Sequence, residues 1–454
     1  MAEKKVLVAG TGKSGICAAQ LLARNNETVI LFDENTELTT DSVKNKLEDC
    51  KNIDKIEIFI GSMTDDLINQ CKYMVISPGI AIDKPFVNQV RDAGLPIWSE
   101  IELAYHYEKG VVAAITGTNG KTTTTTLVGE IMKAYNDNTI VVGNIGTPYT
   151  QLADTTSEAS VTVAEISSFQ LETTIDFKPH VSAVLNITPD HLNRHYTFEN
   201  YANCKLGITK MQDENDYAVL NFDDPETVKL SDKVNAKIVY FSRQKHLEEG
   251  VYVDEKDIVI KENGIITKVL CLDDIKILGT HNVENVLAAV AIAYYMGVPI
   301  DVIEKVCTEF QGVEHRIEFV REINGVSYYN DSKGTNPDAA IKGIKAMPST
   351  TFLIGGGYDK HSEYDEWIEA FDAKVKYLVL IGETAGKIAT CAKKHGFNSI
   401  VFMDTLEEAV EFCYKNAKPG DDVLLSPACA SWGMFENYEQ RGRLFKEYVN
   451  RLEE

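Results

Sequence analysis

Short apolar runs rich in Val, Ile and Leu recur along the chain, and segments with helical spacing of apolar positions separate them. Such runs are typical of strands buried on both faces, so the alternation predicts an α/β fold with mainly parallel sheets. A first group of predicted strands comprises KVLVAG (5–10), TVILFD (28–33), YMVISPG (73–79) and PIWSE (96–100). A second comprises VVAAITG (111–117), TIVVGN, VTVAEIS, VSAVLNIT and YAVLNF, and a third TFLIGGG, YLVLIG and DVLLSPA.

These three strand groups predict three domains, a number that the length of 454 residues also favours. Polar stretches at 105–110 and 311–316 interrupt the pattern and mark the expected joints. We therefore predict domains at 1–105, 106–312 and 313–454.

Composition narrows the class of protein. A net charge of −23 argues against a nucleic-acid-binding surface. The chain shows no apolar stretch long enough to span a bilayer, and its first residues lead directly into a strand, so we expect neither a membrane partner nor a secretory signal. Nine cysteines without a CxxC pair are typical of reduced thiols. We expect a cytoplasmic protein that is a monomer.

A first glycine-rich turn follows the first predicted strand. Gly10-x-Gly12-x-x-Gly15 opens a helix, and Asp33 closes the next strand. This is the dinucleotide-binding pattern in its required context, because glycines allow a tight turn and the helix N-terminus attracts phosphate. A mononucleotide such as a UDP group fits a unit of this size as well, and so does a tight turn without a ligand.

A second glycine-rich turn, GTNGKTT at 117–123, lies between a predicted strand and a predicted helix. Its backbone N–H groups can surround phosphate oxygens, Lys121 can reach the β- and γ-phosphates of ATP, and Thr122 or Thr123 can hold Mg²⁺. Ile115 stands where the standard phosphate loop has a glycine, so this loop is a shortened variant. Glu165, at the end of the run VTVAE, is a second candidate ligand for Mg²⁺.

GTNGKTT resembles the ATP loop of the Mur ligases, the amino-acid-adding enzymes of peptidoglycan synthesis. Other stretches resemble the same family in order along nearly the whole chain: SPGI (77–80), GNIG (143–146), AEISSFQLE (164–172), NITPDHLNRH (186–195), GTHNVEN (279–285), HRIE (315–318), NDSKGTNP (330–337), GGGYDK (355–360) and LSPACASW (425–432). The resemblance implies a Rossmann-like UDP-binding domain, a central ATPase domain and a Rossmann-like C-terminal domain.

SSFQLE together with SPACAS most resembles the D-glutamate-adding branch of the family. This implies a ligase that uses ATP and Mg²⁺, at two metal sites, to join D-glutamate to UDP-N-acetylmuramoyl-L-alanine through an acyl phosphate. The resemblance also implies the following roles. The catalytic residues are Lys121, Glu165, His191, Lys205 and Asn144, and the metal ligands are Thr122, Glu165, His191 and Lys205, the last as a carbamate.

Three groups of binding residues follow from the same resemblance. The UDP-linked substrate is assigned Gly12, Lys13, Ser14, Asp33, Ser77, Asn144, Ser167 and Gln170. ATP is assigned Gly117, Thr118, Asn119, Gly120, Lys121, Thr122, Thr123, His281, Asn282, Asn285, Arg316 and Asp331. D-Glutamate is assigned Lys333, Thr335, Lys360, Ser431, Trp432 and Tyr438. Trp432 and Tyr438 depart from the family's usual leucine and phenylalanine.

Three other interpretations are open at this point. Folylpolyglutamate synthetase also couples ATP to glutamate addition, but it has no separate UDP-binding unit before the phosphate loop. A nicotinamide oxidoreductase would explain the first glycine turn and leave GTNGKTT unexplained. A nucleotide-binding switch would explain ATP binding without ligase chemistry.

Overall fold

The fold is given by a computed structural model, which describes residues 4–48, 50–144, 146–359 and 362–453. Within these ranges the strands form three sheets, and the chain packs into two compact units. The first unit extends to Leu272 and resumes at Glu284–Cys307, and the second contains Asp273–Val283 and the chain from Thr308 onward. The predicted α/β class with mainly parallel sheets is confirmed.

The N-terminal sheet consists of β1 (Lys5–Ala9), β2 (Val29–Asp33), β3 (Ile56–Ile60), β4 (Cys71–Ile76) and β5 (Ile97–Ser99). Its helices are α1 (Lys13–Arg24), α2 (Thr40–Asn45), α3 (Asp65–Asn69), α4 (Pro85–Asp92) and α5 (Glu100–Tyr105). All strands are parallel in the order β3-β2-β1-β4-β5. The order reverses between β1 and β4, and ligands of open parallel sheets bind at such a switch point.

The central sheet follows. Its strands are β6 (Val111–Thr116), β7 (Thr139–Gly143), β8 (Val161–Glu165), β9 (Val181–Val184), β10 (Tyr217–Asn221), β11 (Lys237–Ser242), β12 (Gly250–Asp254), β13 (Asp257–Glu262) and β14 (Ile265–Cys271). Its helices are α6 (Lys121–Tyr135), α7 (Tyr149–Leu152), α8 (Ser168–Leu171), α9 (Leu192–His195), α10 (Phe198–Leu206) and α11 (Pro225–Leu230), followed by α12 (Thr280–Tyr295) and α13 (Ile300–Glu309).

Strand β6 lies between β8 and β9, with β7 beside β8, and all four are parallel. Their carboxyl ends therefore meet at one edge of the sheet. This edge is shared by the phosphate loop, Asn144, Glu165 and the segment that leads to His191.

An antiparallel arm of β12, β13 and β14 extends the central sheet. The pattern analysis did not identify these strands. Asn263 and Gly264 both have positive φ, 53° and 76°, and join β13 to β14 through a two-residue turn. Such a turn matches the twist of a hairpin, so the Asn-Gly pair is a local signal that was available in the sequence.

The third sheet consists of β15 (Glu318–Ile323), β16 (Val326–Asn330), β17 (Thr351–Gly355), β18 (Val375–Leu380), β19 (Ile400–Phe402) and β20 (Asp422–Leu425). Its helices are α14 (Pro337–Ala346), α15 (Asp365–Glu369), α16 (Ala385–Lys394), α17 (Leu406–Asn416) and α18 (Tyr438–Arg451). The order is β15-β16-β20-β17-β18-β19, with only β15 antiparallel to its neighbour. The carboxyl ends of β16 and β20 are adjacent, which brings the loops after them together.

The first two sheets share one hydrophobic core. Helices α1 and α5 pack against α7, and all three contribute buried apolar side chains to a single cluster. The first two sheets lie in the first compact unit, and the third sheet belongs to the second. The predicted domain boundaries stay predictions, and Asp273–Val283, which lies within the predicted central domain 106–312, groups with the second unit. Among the described residues, no helix is long and apolar enough to cross a membrane.

Candidate functional site

A cavity of about 410 Å³ opens at the switch point of the N-terminal sheet. The residues that follow β1, β2 and β4 line it, and five of the predicted substrate-binding residues are among them: Gly12, Lys13, Ser14, Asp33 and Ser77. Lys13 also donates a 2.6 Å hydrogen bond to the carbonyl of Gly146, in the loop after β7. The first glycine turn thus lines a cavity in which a ligand could bind.

Gly10 and Gly15 of this turn are required by packing, whereas a side chain at Gly12 would meet open space. Gly10 has φ 102°, and a Cβ on Gly15 would lie 1.9 Å from the carbonyl oxygen of Gly10. Asp33 accepts from the backbone N–H and the hydroxyl of Thr11 at 3.0 and 2.8 Å, so its carboxylate holds the turn. The buried hydroxyl of Ser77 has no hydrogen-bond partner in the described part of the chain, which leaves it available to a ligand.

The second glycine turn, 117–120, connects β6 to α6. Gly117 and Gly120 have φ 152° and 85°, a region that L-residues rarely occupy. The N–H groups of Thr118 and Asn119 donate to the backbone and side chain of Asn186 at 2.9 Å each, which holds the loop against the end of β9. The first N–H groups of α6 have no acceptor within the helix and point out of its N-terminus, the usual arrangement for phosphate.

Two lysines converge on one carbonyl of this loop. Lys121 and Lys205 each donate to the oxygen of Gly117 at 2.8 Å. Lys205 is 2% exposed on α10, and burial, together with the charge of Lys121, lowers its pKa to about 7. A substantial fraction of Lys205 is therefore a neutral amine near neutral pH.

Asn144 and Glu165 form a pair at the same sheet edge. The side-chain amide of Asn144 donates to Glu165 Oε1 at 2.7 Å, and its backbone N–H donates to the carbonyl of Glu165 at 2.8 Å. Glu165 is 2% exposed, and its Oε2 has no hydrogen-bond partner among the described residues. A buried carboxylate oxygen without a partner is costly unless a cation or a donor completes it.

His191 lies exposed in the segment before α9, with φ 52°. Its ring lies 4.8 Å from that of Phe169, which lies on α8, the short helix that follows β8. The ring of His195 stacks on the same phenylalanine, and its Nε2 forms a 3.0 Å hydrogen bond with the hydroxyl of Ser168. Burial and the charges of Arg194 and His191 lower the pKa of His195 to about 4, so this ring is a neutral hydrogen-bonding group.

Ser167 and Gln170 form a capping box at the start of α8. The carbonyl oxygen of the Gln170 side chain accepts from the backbone N–H and the hydroxyl of Ser167 at 2.8 Å each, and its amide donates to Glu100 at 2.8 Å. Burial raises the pKa of Glu100 to about 7, against the hydrogen bond from Gln170. Contact of Ser167 and Gln170 with substrate stays a prediction.

The remaining predicted ATP residues lie on α12 and in the C-terminal unit. In the first unit, Asn285 packs over the phosphate loop, since a Cβ on Gly120 would lie 2.2 Å from its Oδ1. The side-chain amide of Asn282 donates to the carbonyl of Leu278, which precedes α12, at 2.7 Å. Burial, with Lys342 and Arg316, lowers the pKa of His281 to about 4.

Asp331 is a buried carboxyl at the end of β16. The hydroxyl of Ser426 donates to its Oδ2 at 2.7 Å, and Cβ atoms on Gly334 or Gly343 would lie within 3.0 Å of that oxygen. Burial raises the pKa of Asp331 to about 7, and Ser426 and Arg316 only partly oppose this. The Nε of Arg316 is buried without a hydrogen-bond partner among the described residues.

The predicted amino-acid residues lie in loops at the carboxyl ends of β16 and β20 and at the start of α18. The ammonium of Lys333 lies 5.6 Å from the centre of the Tyr438 ring. Ser431 is buried, whereas Trp432 is half exposed with its ring 5.5 Å from that of Tyr358. Thr335 follows Lys333 in the first of these loops, and Lys360 lies outside the described residues.

Arg441 ties these loops together, and the sequence analysis missed it. Its guanidinium donates to the carbonyl and hydroxyl of Ser332 at 2.8 and 3.0 Å and to the carbonyl of Cys429 at 3.2 Å. It is 1% exposed, and burial lowers its pKa to about 10. Ser332 in turn donates to the carbonyl of Tyr438 at 2.8 Å. Nothing local in the stretch NYEQRGR distinguishes this arginine from a solvated one.

Comparison with protein families matches three models in order along the chain. Residues 4–99 match the Mur ligase MurD-like N-terminal domain, residues 115–293 the Mur ligase middle domain, and residues 315–429 the Mur ligase glutamate ligase domain. The N-terminal match removes the basis for a nicotinamide oxidoreductase. The two further matches account for the phosphate loop and the third sheet together.

Full-length relatives are similar to the whole chain. The UDP-N-acetylmuramoylalanine–D-glutamate ligase of Lachnoclostridium phytofermentans is 52% identical over 452 residues, 99% of both chains. The enzyme of the same name from Lachnospira eligens is 53% identical over 449 residues, 99% of both chains, and that of Clostridioides difficile is 47% identical over 450 residues, again 99% of both.

Solved structures support the three-domain fold. The UDP-N-acetylmuramate–alanine ligase of Thermotoga maritima matches with a TM-score of 0.60 at 19% identity, covering 98% of this chain and 99% of that one. The UDP-N-acetylmuramoylalanyl-D-glutamyl-2,6-diaminopimelate–D-alanyl-D-alanyl ligase of Acinetobacter baumannii matches with a TM-score of 0.61 at 15% identity, covering 99% and 93%. The ordered domains, the two glycine turns and the full-length relatives agree: the chain belongs to the Mur ligase family.

Proposed function

We propose that the protein is an ATP-dependent ligase that adds D-glutamate to UDP-N-acetylmuramoyl-L-alanine in peptidoglycan precursor synthesis. One observation carries the proposal. Lys121 and Lys205 meet at the carbonyl of Gly117 in the phosphate loop, on the sheet edge where Glu165 presents a buried oxygen that has no hydrogen-bond partner in the described part of the chain. Phosphoryl transfer to a carboxylate needs positive charge at the phosphates, which Lys121 would supply, and oxygen ligands for a divalent cation, which Glu165 and a carbamylated Lys205 would supply.

The reaction has two steps. The carboxylate of the L-alanine residue attacks the γ-phosphate of ATP, forming an acyl phosphate and releasing ADP. The amine of D-glutamate then attacks the acyl carbon, an amide bond forms, and inorganic phosphate leaves with the C–O electron pair. Lys121 is placed to neutralise the two anions that approach each other in the first step.

A magnesium site fits the residues present. Glu165 Oε2 lacks a partner among the described residues, and Thr122 lies in the first turn of α6. These oxygen donors suit a hard divalent cation, which would screen the phosphate charges when bound. We assign Glu165, Thr122 and His191 as ligands, with Lys205 as a carbamate, for which its low pKa provides the neutral amine.

The cavity at the first glycine turn is assigned to the UDP end of the substrate. Lys13 would supply a cation, and the hydroxyl of Ser77, which has no hydrogen-bond partner among the residues that the structure describes, and the N-terminus of α1 would supply donors for phosphate. Asp33 also lines this cavity. Its Oδ2 accepts from the N–H of Thr11, and its Oδ1 accepts from the N–H of Asn35. The wider assignment of Gly12, Ser14, Ser167 and Gln170 rests on the family pattern.

D-Glutamate carries two carboxylates and an amine, and the C-terminal loops offer matching groups. Lys333 is a cation beside Tyr438, and Ser431 and Thr335 offer hydroxyls in the adjacent loops. We place the amino-acid site there, with Lys360 as a further cation from the family pattern. A monomer in the cytoplasm completes the proposal.

The test is phosphate release from ATP with Mg²⁺ and UDP-N-acetylmuramoyl-L-alanine. D-Glutamate, L-glutamate, L-lysine and no amino acid are compared at equal concentration. Release only with D-glutamate is the expected result. Equal release with all four additions would indicate an uncoupled ATPase, and no release with any of them would contradict the proposed ligase.

A further inference from the structure

The segment 191–196 contacts both domains of the first compact unit. The ring of His191, at the start of this segment, contacts the ring of Phe169 on α8 in the central domain. Tyr196, at its end, donates to the carboxylate of Asp83 in the N-terminal domain. Arg194, between them, points the same way as Tyr196, toward the loop after β4.

All three guanidinium nitrogens of Arg194 donate hydrogen bonds. Nη1 and Nη2 donate to the carbonyls of Pro78 and Ile80 at 3.3 and 2.8 Å, and both residues line the cavity at the first glycine turn. Nε and Nη2 donate to the two oxygens of Glu172 at 3.2 and 2.5 Å. The planar fork therefore binds a carboxylate of the central domain and two carbonyls of the N-terminal domain at once.

The surroundings bury this arrangement. The side chains of Arg194 and Glu172 are only 12% and 7% exposed, and the guanidinium lies 4.6 Å from the centre of the Phe169 ring. Phe169 also contacts His191 and His195 and follows Glu165 by four positions. One side chain thus joins the cavity wall, the loop of Glu165 and the segment of His191.

We propose that Arg194 is a positioning residue that sets the distance between the UDP cavity and the reaction centre, so that both ends of one extended substrate are engaged together. This inference rests on the proposed function, in which the UDP group occupies the cavity and the L-alanine carboxylate lies near Glu165 and His191. A substrate held at both ends gains from the second contact only if the two sites are correctly spaced. A spacing error of the order of 1 Å can cost about 10²-fold in rate.

The test compares a fragment that fills one end with the substrate that spans both. Arg194→Ala should lower kcat/KM for UDP-N-acetylmuramoyl-L-alanine by roughly 10- to 100-fold. The Kd of UMP, measured by calorimetry, and the KM of ATP should change by less than about twofold, because each ligand needs only one of the two sites. Arg194→Lys keeps the charge without the fork and should recover only part of the loss.

A matched control is available in the same pair of domains. Arg24, at the far end of α1 from the cavity, binds both oxygens of Asp154 in the central domain at 3.1 and 2.9 Å. Arg24→Ala removes a comparable contact and should leave kcat/KM within about twofold of wild type, because it does not border the cavity. If Arg194→Ala does not fold, Glu172→Gln replaces it in the test. This variant removes the charge that pairs with Arg194 and leaves the hydrogen bonds of Arg194 to the carbonyls of Pro78 and Ile80 in place.

The outcomes separate the two claims. Wild-type protein without substrate-dependent phosphate release would contradict the proposed function itself. An active wild type, with an Arg194→Ala variant that loses UMP affinity and substrate kcat/KM by the same factor, would contradict only the positioning role. An Arg24→Ala variant as impaired as Arg194→Ala would also overturn it, since domain contact in general would then be responsible.

Discussion

Lys205 donates a 2.8 Å hydrogen bond to the carbonyl of Gly117, the same oxygen that receives a 2.8 Å bond from Lys121. Burial disfavours the charged form of Lys205, and the neighbouring ammonium of Lys121 repels it, so the pKa of Lys205 falls to about 7. The phosphate loop is therefore joined to α10 by a lysine that can lose its proton near neutral pH.

We predict that Lys205 reacts with carbon dioxide. Only the neutral amine forms a carbamate, and its fraction increases as the pH rises through about 7. Protein equilibrated with ¹³C-bicarbonate should show a carbamate carbon by NMR that grows from about pH 6 to about pH 8 and is absent from Lys205→Met. That variant should also lose about 100-fold or more of kcat. A Lys205→Met variant with wild-type turnover would exclude the carbamate role.

Lys121→Met should reduce ATP-dependent turnover by about 10²–10³-fold, because it removes a cation that stabilises charge in the transition state. Affinity for UDP-N-acetylmuramoyl-L-alanine without ATP, measured by calorimetry, should be retained. Lys133→Met is the matched control, since Lys133 lies exposed near the end of the same helix. Equal losses in the two variants would point to helix stability instead of phosphate binding.

Glu165→Gln should raise the Mg²⁺ concentration that gives half-maximal turnover by about tenfold or more, because an amide oxygen is a weaker ligand than a carboxylate. Asn144 can still donate to the remaining oxygen, so the thermal midpoint should change little. The measurement is turnover across a Mg²⁺ titration after treatment with chelator. An unchanged Mg²⁺ requirement would remove Glu165 from the metal site.

Asp331→Asn should change how stability depends on pH. Burial raises the pKa of Asp331 from 3.8 to about 7, so the folded state holds its proton more tightly than the unfolded state does. This contribution to stability is complete below pH 3.8 and is lost as the pH rises through about 7. Chemical denaturation should show the variant gaining about 1–3 kcal/mol relative to wild type between low and neutral pH. A constant difference across that range would place the titration elsewhere.

Arg441→Met should weaken the amino-acid site specifically. It leaves the carbonyls of Ser332 and Cys429 without their donor, at a cost of about 1–3 kcal/mol in unfolding free energy, and loosens the loops that carry Lys333 and Ser431. The KM for D-glutamate should rise about tenfold while the KM for ATP stays within about twofold. Arg443→Met, an exposed arginine on the same helix, should match wild type. Equal KM changes for both substrates would indicate general loss of fold.

The sequence alone determined the features that local chemistry encodes. Buried parallel strands must be continuous apolar runs, so most strands of the three sheets were predicted within a few residues. A phosphate-binding turn between a strand and a helix needs glycines, because they allow positive φ and leave room for phosphate. Both turns could therefore be predicted from their glycine spacing. The hairpins at Asn263–Gly264 and Asn324–Gly325 were equally local, with φ above 50° at all four residues, and an explicit search for Asn-Gly pairs would have found them.

Only the tertiary structure decided which side chains share an acceptor, a burial site or a domain contact. Arg194 reaches carbonyls more than a hundred positions away, and Arg441 reaches Ser332 across a similar separation. Among the described residues, Glu165 Oε2 has no hydrogen-bond partner and two lysines share the carbonyl of Gly117, and both features depend on how four strand ends meet. Such properties depend on distances between segments remote in the chain, and residue type and spacing along the sequence carry no information about those distances until the sheets pack.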